Sequence, residues 1–575
     1  MSAATTPGAA SGTDTPGTTA AEGRADHRPV SVLHSSALMA AGSLVSRATG
    51  FVRSAVVAAA LGVGLAADGY AVGNTVPNIL YTLLLGGALN AVFVPELVKA
   101  ARRHPDGGAA YTERLLTVCT AALLLITVVA VLAAPAVVAA YTNYSGGQAA
   151  TTVVFARCCL PQILFLGLFT LLGQVLNAKD RFAAMMWAPV LNNLVVIGVF
   201  ALYLKTVGGG GTLTTGEAEL LGWGTTAGIV AQTLALVPSL RAARLRWRPR
   251  FDWRGSGLSR PLRSAGWLVL LVLTNQLAYW VVTRLATTAG ERAAAQGIGG
   301  AGFSAYSNAY LLWAVPHGIV TVSLVTALMP RMSRAAADGD TAGLRRDVSG
   351  ALRSTASAVV PAACVLGAVA GPVMAIVFQY GRTGADDVAV MAGTLAAFAP
   401  GLVAFSVQYV LARTFYALSD TRTPFLLNLV VAGLNAGLSA LAFLLLPARW
   451  AVTGMAGAYS VALFAGCAVT ARTLARRLPA APERGPLRSS GATALARLLA
   501  AALPAAPLGH LAATRTASLG PFAAALAGTG AVVAVFALLA RPLRLTGVEA
   551  ALAAVPRALR RRTRRDGPRP HRPLN

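Results

Sequence analysis

The sequence predicts an all-α polytopic membrane protein of about fourteen spanning helices, built as two six-helix lobes in parallel repeat followed by two C-terminal helices. Three observations carry that expectation. Hydrophobic residues make up 55% of the 575 and charged residues only 12%, with a mean hydropathy of +0.62, whereas a soluble globular chain carries about 25% charged residues. Charge-free stretches such as 115–140 and 355–377 exceed the roughly 20 residues that a helix needs to cross about 30 Å of hydrocarbon. Proline, asparagine and aspartate positions recur at a nearly constant offset through the chain. A transmembrane barrel would instead show short alternating strands of about ten residues, and these are absent from the sequence.

The spans are expected near 36–61, 70–99, 113–141, 152–177, 184–205, 218–240, 264–287, 303–329, 351–378, 388–416, 424–446, 452–473, 493–513 and 519–541. Residues 1–35, rich in Ala, Thr, Gly and Pro and without an apolar run, read as a disordered cytoplasmic tail rather than a signal peptide. Residues 542–575 read as a basic cytoplasmic tail lying near anionic lipid. The net charge of +27 does not argue for nucleic acid, because its arginines sit mainly in short loops and the tail. One alternating set of loops holds most of them, including Arg244, Arg246, Arg248 and Arg250; the other holds only Arg157, Lys205, Arg284, Arg292, Arg382, Arg449 and Arg515. The positive-inside rule places the rich set and both termini in the cytoplasm. Cys119, Cys158, Cys159, Cys364 and Cys467 fall within apolar helices and lack metal-ligand spacing, so they read as packing residues.

The repeat is the sharper signal. Pro77 recurs as Pro316 and Pro161 as Pro400, each 239 residues on; Asp180 recurs as Asp420 after 240 residues and Asn193 as Asn435 after 242. Spans two and eight, four and ten, five and eleven therefore correspond in the same orientation. Such a parallel repeat gives lobes at 36–240 and 264–473 related by an axis along the membrane normal, with the cleft between them as the substrate path. The last two spans, at 493–541, lie outside the repeat. Pro77 and Pro316, each beside a polar patch, are the candidate helix breaks for gating.

Ionisable residues inside spans are functional candidates because they are costly there. Arg47 and Arg53 lie on the first span, with their directions about 120° apart around a helix. Either they line one wide cavity wall, where a guanidinium fork suits phosphate, or they snorkel to the headgroups. Asn74, Asn78, Asn193, Asn275, Asn308 and Gln408 read first as hydrogen-bonding glue between helices. Asp68 reads as an N-cap at the mouth of the second span and His317 as a satisfied structural histidine. The chain has no phosphate-binding loop, no zinc-type cluster, no nucleophile–base framework and no large extramembrane domain. No catalytic residue, metal or cofactor is called for, and the chain reads as a transporter rather than an enzyme.

These residues carry a resemblance. Ser46-Arg-Ala-Thr-Gly-Phe-Val-Arg53, Ala67-Asp-Gly-Tyr70, Val76-Pro-Asn-Ile-Leu80 and Gly87-Ala-Leu-Asn-Ala-Val-Phe-Val-Pro-Glu96 resemble the N-terminal signature of the MurJ/MviN family. Phe378-Gln-Tyr-Gly-Arg382 and Phe415-Tyr-Ala-Leu-Ser-Asp-Thr-Arg-Thr-Pro424 resemble its second-half motifs. The resemblance implies the fold of the multidrug/oligosaccharidyl-lipid/polysaccharide exporters. It also implies flipping of lipid II, a polyprenyl-diphosphate-linked peptidoglycan precursor, across the cytoplasmic membrane. Its partners would be that lipid-linked glycan, membrane lipids and cell-wall synthesis proteins. On this reading Arg47 and Arg53 bind the diphosphate, Asn74, Asn78 and Tyr310 supply neutral donors, and the last two spans build a groove for the lipid tail. Several positions that are charged in the family pattern are neutral here: Ser54, Tyr81, Thr82, Gly86, Leu311 and Ala314. Two rival readings are therefore an exporter of another lipid-linked glycan or amphiphile on the same fold, and a non-transporting membrane scaffold.

Overall fold

Backbone N–H and C=O groups in hydrocarbon have no water to bond, so a spanning segment must satisfy them internally. The computed structural model describes residues 29–83, 106, 108–179, 181, 183–207, 213–243, 245, 247–252, 266–478, 493–545 and 547–549, which are helices and short connections with no strand among them. The first half comprises α1 (Pro29–Leu61), α2 (Leu65–Leu83), α3 (Ala109–Leu132), α4 (Ala134–Tyr141), α5 (Gly146–Cys159), α6 (Gln162–Ala178), α7 (Ala183–Thr206), α8 (Thr215–Leu234) and α9 (Val237–Ala242). The second half comprises α10 (Gly266–Ala295), α11 (Phe303–Pro316), α12 (Val322–Ala337), α13 (Thr341–Ala368), α14 (Ala370–Phe378), α15 (Ala385–Phe398), α16 (Gly401–Ala417), α17 (Arg422–Leu445) and α18 (Ala448–Arg477). Two further helices follow, α19 (Thr493–Arg515) and α20 (Pro521–Ala540).

Twelve of the described helical segments are long and apolar enough to span, and the bent pair α15–α16 makes a thirteenth. The expected count of fourteen is not reached among the described residues. Most of the second predicted span, near 70–99, lies beyond the end of α2 and outside them, as do Gly87 to Glu96 of the N-terminal motif and much of both predicted tails.

The repeated prolines act alike in both halves. Pro161 and Pro400 each occupy the N-cap position where one helix gives way to the next, and the second of these breaks bends by 44°. Proline lacks an N–H and clashes with the preceding turn, which is enough to interrupt a span at its ring. The packing repeats as well. α1 lies along α7, α7 on α8, α2 on α5 and α3 on α6; in the second half α10 lies along α17, α17 on α18, α11 on α15 and α13 on α16. α19 and α20 pair with each other and lean on α13 and α14, outside this pattern.

Polar ends are tied locally. Thr214 and Glu217 form a reciprocal capping box at the start of α8, and Asp340 accepts from the Gly343 N–H at the start of α13. At the arginine-rich end, Arg250 pairs with Glu113 at 3.1 Å and Arg331 with Asp347 at 2.8 Å. The Arg114 guanidinium, hydrogen-bonded to Asp252, holds that carboxyl below its usual range. Exposed pairs of this kind contribute about 0–1 kcal/mol each, so they orient loops more than they hold the bundle.

The opposite end is where the two halves are fastened. The Arg382 N–H donates to the Ala59 carbonyl at 2.9 Å and the Thr383 hydroxyl to the Ala58 carbonyl at 2.9 Å. Gly381 has φ +60°, and a Cβ there would run into the Ala59 carbonyl. Gly381→Ala should therefore cost at least about 1–2 kcal/mol from the left-handed backbone alone, read as a lower melting temperature of the detergent-solubilised protein; an unchanged melt would contradict the contact.

Candidate functional site

A cavity of about 840 Å³ lies between the two halves. α1 contributes Arg53 and Ser54, α2 Tyr70, Asn74, Asn78 and Thr82, and α7 Asn193; from the second half come Asn275 and Tyr279 of α10, Asn308 and Tyr310 of α11, Gln408 of α16 and Asn435 of α17. Its lining is amide-, hydroxyl- and aromatic-rich. Among the described lining residues Arg53 is the one charged side chain. The neutral replacements noted in the sequence thus have a location: Ser54, Thr82 and Leu311 all face this space.

Arg53 projects from the last third of α1, and its guanidinium lies within electrostatic reach of Tyr70 and Cys159. No described carboxylate pairs with it. The segment that carries it is held by Asn193 of α7, which donates to the Ser46 carbonyl and to the Thr49 hydroxyl, both at 3.0 Å. Arg47, one and two-thirds turns earlier on the same helix, does not join it on the cavity wall. It reaches instead toward Gly318, where a Cβ would sit 2.7 Å from Nη1. Gly318 belongs to a π-turn, His317–Thr321, that begins immediately after Pro316. The wide turn supplies the slack that the proline's missing donor creates, and Arg47 packs against it from the other half.

Around Pro77 the helix takes a different course. Asn74 Nδ2 donates to the Tyr70 carbonyl, Thr75 to Ala71, Asn78 Nδ2 to Asn74 and Thr82 to Asn78, at 2.7–3.0 Å. Side chains bonding back to the preceding turn compete with the backbone ladder and bend helices, so α2 is softened along the length that lines the cavity. Asn74 Oδ1 also accepts from Gln162 at 3.3 Å, and Gln162 donates on to Thr226 at 3.1 Å. Both ends of the Asn74 amide are therefore engaged within the protein. Tyr310 stands in an aromatic cluster with Trp313, Phe398 and Tyr459, at centroid separations of 5.2–6.5 Å, and its hydroxyl carries no hydrogen bond from a described residue. His317 is buried, with Nδ1 3.0 Å from the Ser406 hydroxyl and its ring 4.3 Å from Phe405.

The cavity is closed at one end by bonds that sequence reasoning did not anticipate. Asp68 is fully buried, but it does not cap its own helix. Its carboxylate accepts from the backbone N–H groups of Phe303 at 3.0 Å and Ser304 at 2.6 Å, at the N-terminus of α11 in the other half. The positive end of that helix attracts the carboxylate, and Gly302, the N-cap, leaves no side chain in its way. Beside it, Arg284 of α10 donates to the Ala139 and Ala140 carbonyls and to Asn143 Oδ1, at 2.7–2.8 Å. Trp280 donates to the Ala140 carbonyl and Thr287 to the Tyr141 carbonyl, each at 3.0 Å. These groups occupy the last turn of α4, where orphan carbonyls favour a cation. The one sequence hint was an arginine inside a span on the arginine-poor side.

Paired helical halves around a cavity that holds one arginine among amides and aromatic rings, tied at one end by bonds between the halves, define a polytopic membrane protein of the transporter class. The model of the lipid II flippase MurJ family matches residues 57–519, and the chain belongs to that family. A probable lipid II flippase MurJ of Rhizobium meliloti (strain 1021) is 28% identical over 440 residues, covering 75% of this chain and 78% of the relative. In structure, the chain is similar to a lipid II flippase MurJ in an inward closed conformation, with a TM-score of 0.70 at 16% identity over 88% of this chain and 99% of that one. It is also similar to an inward-facing multidrug resistance MATE family transporter of the MOP superfamily, with a TM-score of 0.60 at 16% identity over 74% and 95% of the two chains. At that identity the likeness concerns the fold, and it agrees with the exporter fold expected from the motifs.

Proposed function

We propose that the protein flips lipid II, or a closely related polyprenyl-diphosphate-linked glycan, across the bacterial cytoplasmic membrane by alternating access between lobes at 36–240 and 264–473. The observation that carries the reading is the cavity itself: it lies between the halves, is closed at one end, and presents an arginine without a described carboxylate partner amid neutral polar groups. The arginine-rich loops face the cytoplasm, so both termini are cytoplasmic, the closed end faces outward, and the headgroup enters from the inner leaflet. Arg53 takes the diphosphate through charge-assisted hydrogen bonds. The free hydroxyl of Tyr310 and the amide of Asn78 contact the sugar or phosphate, while Asn74 positions α2. Arg47 acts from outside the cavity wall, by holding α1 to the π-turn. Pro77 and Pro316 are the points at which the lobes flex. The polyprenyl tail stays in lipid against α19 and α20, whose Leu503 and Phe522 are 76% and 74% exposed. Carrying one elementary charge through the membrane potential is worth about 2.3 kcal/mol per 100 mV, which can drive the cycle without a nucleotide.

Translocation of lipid II in vesicles containing the purified protein tests this directly. Protein-dependent appearance of lipid II on the outer face, lost in Arg53→Ala, supports the reading. A second reading, export of a different lipid-linked glycan, is favoured by the single charge among the described residues of the cavity. It would replace the first if lipid II stays inside while another polyprenyl-diphosphate glycan crosses.

A further inference from the structure

A second, smaller cavity of about 280 Å³ sits on the flank of the closed end. It is built from both halves, with Asn143 from the α4–α5 turn facing Arg284, Thr288 and Arg292 of α10. Val281, Leu285, Thr288 and Arg292 form one stripe of that helix, spaced by four, three and four residues. The stripe is apolar toward the middle of the helix and basic toward its end. No Asp or Glu lines the cavity among the described residues. Arg284 is committed to the carbonyls at the end of α4, which offset much of its charge. Arg292 is different. It is exposed, has no described carboxylate or hydrogen-bond partner, and its guanidinium lies flat over Phe443, 4.1 Å from the ring centroid. A guanidinium stacked in this way keeps its N–H edges free for the oxygens of a phosphate.

We propose that this seam binds an anionic phospholipid, its phosphate on Arg292 and its tails along the Val281–Leu285 stripe of α10, and that the bound lipid holds the closed end shut. A free phosphate would use Arg292 but not the apolar stripe. The consequence for gating follows from the site's composition. Asn143 of the first half forms one wall of the seam, held there by α10, its Oδ1 accepting from Arg284 at 2.7 Å and its Nδ2 donating to Thr288 at 3.0 Å, so that wall is in place only while the end is closed. A ligand that binds one state better than another shifts the population toward it, and the coupling is reciprocal. The proposal rests on the orientation assigned above only for naming the outer leaflet as the source. Its test involves no flipped substrate, so it can fail or succeed apart from the flippase reading.

The full chain, spin-labelled at 145 and 296 on opposite sides of the seam, would be placed in nanodiscs of phosphatidylcholine with and without phosphatidylglycerol of the same acyl chains. Phosphatidylglycerol should raise the ratio of short to long label distances by about 5-fold or more, a usual size for coupled sites. Arg292→Gln should abolish the rise, Arg292→Lys retain part of it, and inorganic phosphate in phosphatidylcholine discs fail to reproduce it. Phe443→Leu, which removes the ring beneath the guanidinium, provides a second variant if Arg292→Gln does not fold. An equal rise in wild type and in the variants would overturn the proposal. A full response to inorganic phosphate alone would overturn the lipid assignment.

Discussion

Arg53→Ala should lower lipid II translocation in vesicles by roughly 10- to 100-fold, the equivalent of losing a charge-assisted hydrogen-bonding group worth about 1.5–3 kcal/mol. Arg53 is the one charged side chain among the described residues that line the central cavity, so no other described cation there can take over. The effect should be specific to the diphosphate. Arg53→Lys keeps the charge but loses the planar fork, and should recover only part of the rate. Arg47→Ala should cost less, because Arg47 packs toward Gly318 rather than into the cavity. A scintillation or fluorescence translocation assay on matched amounts of reconstituted protein would decide. Full activity of the Arg53→Ala variant would remove the arginine from the substrate path; no translocation by the wild type either would favour a scaffold reading.

Asp68→Ala should release the closed end. Removal of the carboxylate strands the N–H groups of Phe303 and Ser304, which it now accepts at 3.0 Å and 2.6 Å. A buried unsatisfied donor costs about 1–3 kcal/mol, so the closed population should fall by roughly 10-fold or more. Asp68→Asn keeps an acceptor oxygen and should be intermediate. Gly302→Ala should reach the same state by another route, since a Cβ at that position would run into the Asp68 carboxylate. The measurement is the labelling rate, by a membrane-impermeant maleimide, of a cysteine introduced at Ser304 in a background without the native cysteines. Buried Ser304, only 4% exposed in this state, should become reactive in both variants. Unchanged labelling would mean that Asp68 stabilises the fold without controlling access.

The membrane fold was legible because hydrocarbon imposes a long, charge-free run wherever the chain crosses it, and 115–140 or 355–377 admit no other reading. The repeat was legible through Pro161 and Pro400, since a missing N–H interrupts a helix wherever it occurs. The site was legible only in part. Arg53, Asn78 and Tyr310 meet around one cavity, whereas Arg47 turns away from it, because α1 presents the two arginines to different neighbours. Asp68 was read as the cap of a nearby helix and instead caps one 235 residues away. Caps are recognisable as residue types, but the helix they serve is a matter of packing.

Hydrophobicity, loop charge and proline spacing are properties of the chain itself, because lipid and water act on each segment independently of its neighbours. They determined the class of fold, the pairing of halves and the kinds of residue that could meet a diphosphate. Which end is shut, which arginine enters the cavity, and that Arg284 seats on the carbonyls of α4 were decided by tertiary structure alone. Each depends on bringing together groups more than 140 residues apart. Such contacts form only when both halves have packed, and no local pattern encodes their partner.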